Sequence, residues 1–158
     1  MNQSLERQSF VLQLFGLDDL DVQSIEYVRD GNDAIVDIVL TAFYTPCPHC
    51  GYDKPRILNY VTKYIVHSEL SDRACRIRYH ARRYKCPVCG KTYYEPNPFV
   101  FKAQKISIKT VYNILEDLKN TNETFASVAR RYYISPTTAA SIFDHHVNVP
   151  RKTLPKYM

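Results

Sequence analysis

The sequence predicts an α+β fold, and three observations predict it. An Asp-Gly turn sits between two strand-like runs near the N-terminus. Two Cys-Pro-x-Cys-Gly motifs bracket two further strand-like runs. The apolar residues of the C-terminal third recur with helical period. The expected layout is a small N-terminal helix and β-hairpin over residues 1–45 and a cysteine-bounded ribbon over 46–101. A three-helix unit follows over 102–148, and then a linker over 149–158.

Phe10-Val11-Leu12-Gln13-Leu14-Phe15, stopped by Gly16, reads as a short apolar helix. Val22 to Val28 and Ala34 to Phe43 read as strands, and Asp30-Gly31 between them signals a tight hairpin. No chemistry is visible in this segment, so its expected role is packing or assembly. Ile57 to Val66 and Ala74 to Tyr84 read as the next two strands, with turn material at His67 to Arg73. The second of these alternates. Cys75, Ile77, Tyr79 and Ala81 fall on one face, and Arg76, Arg78, His80 and Arg82 on the other, because side chains in a strand change sides at every residue. Pro96 and Pro98 mark a linker.

In the C-terminal third, Val111, Ile114, Leu115 and Leu118 form one helical stripe, with Ser107 as its N-cap. A second helix is expected over Phe125 to Tyr132, burying Phe125, Val128 and Ala129. A third starts at Pro136 behind the N-cap Ser135 and turns Ala139, Ile142 and Phe143 inward.

The chain has 158 residues, and its 45% hydrophobic and 23% charged composition is that of a globular protein. No run of 18 apolar residues exists to span a membrane, and Met1 to Phe10 lacks the apolar core of a secretory signal, so the expected compartment is cytoplasmic. Charge is unevenly spread. Residues 1–46 hold two basic and eight acidic side chains, residues 47–109 thirteen and four, and residues 110–158 six and four, within a net charge of +5. The middle excess is the kind that attracts a polyanion; the plainer reading is solvated surface.

The sharpest signal is the pair Cys47-Pro48-His49-Cys50-Gly51 and Cys86-Pro87-Val88-Cys89-Gly90, with 35 residues between Cys50 and Cys86. Each Cys-x-x-Cys turn offers two thiolates to one ion, and four thiolates complete the tetrahedron that zinc favours. Cys47, Cys50, Cys86 and Cys89 are therefore the expected ligands of a structural zinc in a ribbon, with no position left for a catalytic water. Disulfides do not suit a cytosolic chain, and a redox dithiol needs only one such pair. An iron–sulfur cluster is the remaining alternative. Cys75 is expected to be a small buried side chain, and His49, His67 and His80 bystanders.

Thr124 to His145 has helix-turn-helix spacing. Ala129 lies where the helices cross, Ile134 plugs the turn, and Tyr133 stands where such turns favour glycine. In these motifs the second helix of the pair reads base edges in the major groove. The expected base readers are Thr137, Thr138 and Ser141, with His145 further along. Arg76, Arg78, Arg82, Arg83, Lys105, Arg130 and Arg131 are the expected phosphate contacts. A plain three-helix bundle for protein contacts is the alternative.

The first knuckle, then Arg82-Arg83-Tyr84-Lys85-Cys86-Pro-Val-Cys-Gly-Lys-Thr-Tyr-Tyr-Glu95, then the helix-turn-helix together resemble the N-terminal region of bacterial insertion-sequence transposases of the ISL-three type. The resemblance covers roughly residues 40 to 155. It implies zinc bound by the four cysteines and recognition of double-stranded DNA at the terminal inverted repeats. It also implies a cytoplasmic, nucleoid-associated protein, with a homodimer in a transposition complex as one arrangement. In that family a DDE catalytic domain follows. Here the sequence reaches Met158 about where that domain would begin, and no acidic triad for two metal ions is found, so no catalysis is expected of these residues. A free-standing regulator of an operator and a zinc-stabilised protein-interaction module are the competing expectations, and a hydrolase a distant one.

Overall fold

The computed structural model describes residues 12–13, 15–18, 21–43, 45–67 and 74–148. It is α+β, with a mixed sheet and three helices among those residues. The described residues form five strands: β1 (Val22–Asp30), β2 (Asp33–Leu40), β3 (Arg56–His67), β4 (Cys75–Lys85) and β5 (Thr92–Tyr94). The helices are α1 (Ile108–Asp117), α2 (Phe125–Arg131) and α3 (Pro136–His146). None is long and apolar enough to cross a membrane. The chain forms two compact units, 1–110 and 111–158.

In the first unit, β1 and β2 form the expected hairpin, with Asp30 opposite Asp33 and Gly31 at φ 60°, a backbone conformation glycine adopts without steric cost. β3 and β4 pair antiparallel from Arg56↔Lys85 to His67↔Cys75. The hairpin does not stand apart from this pair. β2 runs parallel to β4, from Ala34↔Cys75 to Ile38↔Tyr79, giving the order β1-β2-β4-β3. β5 pairs with the last residues of β4, Arg83 to Lys85, along the side that β2 has left. The sequence reading placed a boundary near residue 45; in the structure one sheet runs across it.

β4 is thus central, and its predicted core face is dry: Cys75, Ile77, Tyr79 and Ala81 are at most 1% exposed. They pack with Val36, Ile38 and Leu40 of β2, Ile65 of β3, and Leu12, Phe15 and Leu17 from the N-terminal segment. Of the expected N-terminal helix, Leu12 and Gln13 are helical and Phe15 N–H donates to Leu12 C=O at 2.9 Å; its other residues lie outside the described set, as do most of the β3–β4 turn and the 149–158 linker. The stretch after Pro96 is more than a linker. Phe99 is buried in the core, edge-on to Tyr79, and Val66 bridges Ile106. Ser107 caps α1 as expected, its Oγ accepting from Thr110 N–H at 3.2 Å and lying 2.8 Å from His67 Nδ1.

In the second unit, Thr124 and Ser127 form a capping box on α2, and Ser135 accepts from Thr138 N–H at 3.1 Å to cap α3, whose first residue is Pro136. The stop of α2 explains the odd tyrosine. Ile134 N–H reaches Ala129 C=O at 3.0 Å and Tyr133 N–H reaches Arg130 C=O at 3.4 Å, the bonding of a Schellman turn. That turn demands a left-handed residue, and Tyr133 takes it, at φ 54°. Val128, Ala129, Ala139 and Ile142 are buried, and Phe125 meets Phe143 edge to face at 5.7 Å.

Candidate metal centre and nucleic-acid interface

The pairing of Arg56 with Lys85 sets the start of β3 beside the end of β4. The residues just outside those ends are the two knuckles, so the strand register brings them together. Both knuckles have the same backbone. Gly51 N–H donates to Cys47 C=O (2.8 Å) and Gly90 N–H to Cys86 C=O (3.0 Å), while Cys47 N–H donates to Tyr52 C=O and Cys86 N–H to Lys91 C=O. Gly51 and Gly90 sit at φ 75° and 71°, where a side chain is strained.

The four sulfurs lie within 4.8 Å of one another, with Cys47 Sγ 3.7 Å from Cys89 Sγ and Cys50 Sγ 3.5 Å from Cys86 Sγ. A disulfide requires an S–S distance near ~2.0 Å, so these are four separate thiols. Metal–sulfur bonds of about 2.3 Å at tetrahedral angles place sulfurs about 3.8 Å apart. The cluster fits one such ion. An iron–sulfur cluster interposes several metal centres between its thiolates and spreads them further.

The Cys86 thiol is held down to about 7 by the Cys89 N–H, against burial, with help from the Val88 N–H. Cys50 moves the other way, to about 12. The Tyr52 backbone lowers it, but the Cys86 sulfur, burial and the other two sulfurs raise it more. Like charges at these distances resist joint ionisation, and a cation among them removes that conflict. Cys47 and Cys86 are buried, and Tyr84 stacks on Tyr93 at 5.7 Å, with the Tyr93 hydroxyl donating to Thr45 C=O. His49 is exposed, and His67 and His80 have other partners, so none of the three joins the sulfurs. Cys75, also outside the cluster, is 1% exposed and its thiol is pushed up to about 11 by burial.

The basic residues singled out on β4 meet different fates. Arg82 is a correction: it does not share an outward surface with Arg76, Arg78 and His80 but is 2% exposed. Its Nη1 lies 3.1 Å from Glu95 Oε2, and its guanidinium also donates to the carbonyls of Leu40 and Thr41. Alternation places it on the face of Arg76, Arg78 and His80, but Glu95, just after β5, and the carbonyls of Leu40 and Thr41 at the end of β2 enclose its guanidinium. Glu95 completes the lock, Oε1 accepting from the Tyr79 hydroxyl and from Arg82 N–H at 2.8 Å. Arg78 is bound to Asp37, which also takes His80 Nε2 at 2.6 Å, and Arg76 lies 3.6 Å from Asp33. Two aspartates of β2, Asp33 and Asp37, thus pair with basic residues of β4. Arg83 is half-buried, donating to Thr92 Oγ1 and lying 5.8 Å from the Tyr94 ring. Lys105 is exposed.

On the helical unit, Arg131 bonds both Asp117 and Glu123 at 2.6 Å, which spends its charge inside the unit. Arg130 is exposed with no ion-pair partner among the described residues. Thr137 and Ser141 are exposed on α3, as is His145; Thr138 is half-buried and turned to the Ser135 hydroxyl at 2.7 Å. Sequence reasoning missed β5, Glu95 and Asp37. A Thr-Tyr-Tyr triplet after the second knuckle was the one available sign of β5, and nothing local marked Glu95 or Asp37 as partners of β4 arginines. No family model, no curated protein and no solved structure matches this chain.

Proposed function

We propose that this chain binds double-stranded DNA as the recognition part of an insertion-sequence transposase. The four cysteines hold a structural zinc that folds a ribbon, and α2–α3 serves as a helix-turn-helix. The observation that carries the reading is α3: its N-terminus is capped, its inner residues Ala139 and Ile142 are buried, and its outer residues Thr137 and Ser141 are free to meet base edges. The Schellman turn at Tyr133 ties that helix to α2. Thr138 contributes its cap and Arg130 a phosphate contact, while Arg82 and Arg131 support the fold. Four thiolates saturate zinc, so the metal acts in folding and the reading assigns the chain no catalysis.

One observation favours a second reading. Residues 111–148 contain three basic and four acidic side chains, and Arg131 is internally paired. A helical unit with so little free positive charge also suits protein contacts. A gel shift on terminal inverted repeats against scrambled duplex, over a range of salt, separates the two. Sequence-selective, salt-weakened binding supports DNA recognition. Equal binding to both duplexes removes the specific claim, and no duplex binding at low salt favours the protein-contact reading.

A further inference from the structure

We propose that the first unit carries an oxyanion site, built by Lys63, Arg83 and Tyr94 across three strands, that takes a phosphate group. β4 holds four arginines. Arg76 has Asp33 as counter-ion, Arg78 has Asp37 and Arg82 has Glu95. Arg83 has none among the described residues, and the fold brings it a second cation instead. Arg83 is the direct partner of Asn59 on β3 and of Tyr94 on β5. Directly opposed residues share a face, and Lys63, four residues beyond Asn59 on the same strand, falls on that face too. The Arg83 guanidinium lies 5.8 Å and Lys63 Nζ 4.4 Å from the centroid of the Tyr94 ring, so the two charges stand no more than about 10 Å apart. Among the described residues no carboxylate is within ion-pair distance of either.

Like charges at that separation repel, and both side chains belong to half-buried residues, which reduces screening by solvent. The ring offsets only part of the repulsion, because a cation–π contact at a partly exposed site is weak. An anion held between the two cations removes it. The neighbouring groups suit an anion as well. Arg83 Nη2 donates to Thr92 Oγ1 at 3.2 Å, so the hydrogen of the Thr92 hydroxyl is left for another acceptor. Arg83 Nε is enclosed and has no partner, which leaves the guanidinium with that single protein hydrogen bond. The exposed Asn59 amide and the hydroxyl of Tyr94, a residue 44% exposed, add two more donors. The spread of these donors selects the ligand. A carboxylate offers two oxygens in one plane, which suits a single arginine, as Asp37 serves Arg78. A phosphate group offers four oxygens in a tetrahedron and meets an ammonium and a guanidinium from different sides. A free phosphate ester and a nucleic-acid backbone share that chemistry.

The site does not depend on the duplex reading of α2–α3. The full metal-loaded chain is titrated at matched ionic strength with inorganic phosphate, with a thymidine dinucleotide as phosphodiester, and with acetate. Proton–nitrogen NMR follows the Arg83 Nε–H resonance, which reports on this guanidinium alone. A phosphate species shifts it saturably and acetate does not. Lys63→Gln weakens that binding roughly fivefold or more, as expected for a lost hydrogen bond to a charged group. Lys63→Arg, which keeps the charge, stays within about twofold. Unchanged metal content and thermal midpoint establish that both variants are folded. Tighter binding of inorganic phosphate than of the dinucleotide supports the site and assigns it to free phosphate or a phosphate monoester; the reverse order supports it and assigns it to a nucleic-acid backbone. Absence of a saturable shift with both phosphate species, an equal response to acetate, or wild-type affinity in folded Lys63→Gln overturns the proposal. Loss of sequence-selective duplex binding in the gel shift counts against the helix-turn-helix reading and leaves this site standing.

Discussion

The buried pair Arg82–Glu95 offers the most exacting test of the fold. Its side chains are 3% and 0% exposed, so water cannot replace either partner. Burial works against the Arg82 charge, yet the hydrogen bond and charge of Glu95 hold its pKa above the ordinary arginine value. Glu95→Gln isolates the charge. The amide oxygen can still accept from the Tyr79 hydroxyl and Arg82 N–H, but the guanidinium is left buried without a counter-ion. Breaking such a pair costs about 3–5 kcal/mol, a large share of the total stability of a small domain. Glu95→Ala also orphans the Tyr79 hydroxyl and the Arg82 N–H, at about 1–3 kcal/mol each, and should not yield a folded first unit. Urea unfolding of the metal-loaded protein, followed by far-UV circular dichroism, reads these values from the midpoint. Arg82→Met/Glu95→Gln removes both charges and should be more stable than the sum of the single changes predicts, by about 1–3 kcal/mol. A cost below about 1 kcal/mol for Glu95→Gln, or strict additivity of the pair, would refute the argument that the charges are desolvated and mutually dependent.

Tyr133→Gly should stabilise the helical unit by about 0.5–1 kcal/mol, because left-handed backbone costs a side-chain-bearing residue about 1–2 kcal/mol and glycine returns only part of that as chain entropy. The tyrosine is 55% exposed, so little burial is lost, and a lower thermal midpoint for the variant would contradict the Schellman assignment. Metal analysis of Cys86→Ser should find the bound metal gone, whereas Cys75→Ala should keep it. Retention by Cys86→Ser would exclude the four-sulfur site. The Glu123 carboxyl is held below its ordinary value of 4.5, first by the Ser127 hydroxyl and then by Arg131. A depressed folded-state pKa adds stability that is complete above the unfolded value and is lost as pH falls through the folded one, so the helical unit should weaken on acidification below roughly pH 5. Glu123→Gln should flatten that part of the pH profile measured by thermal melting; an unchanged profile would assign the acid sensitivity elsewhere.

Local patterns were legible in the sequence wherever a residue's role is fixed by its neighbours. Ser107 and Ser135 cap helices because hydroxyls reach backbone N–H groups a turn away. Paired Cys-x-x-Cys-Gly turns announce two thiolates per loop, and antiparallel pairing of the strands between them brings the loops together. The core face of β4 followed from its period of two. Tertiary structure alone decided what lies opposite each residue. The parallel pairing of β2 with β4 set Asp33 and Asp37 against arginines about 40 residues away, and so paired in space some of the charge that is separated along the chain. Glu95, 13 residues on, and the end of β2, about 40 residues back, enclose Arg82. Alternation fixes the side of a sheet on which a side chain falls, but whether that side meets water depends on segments far away in sequence. Exposure, and with it the difference between a structural charge and a binding one, is therefore a property of the assembled fold.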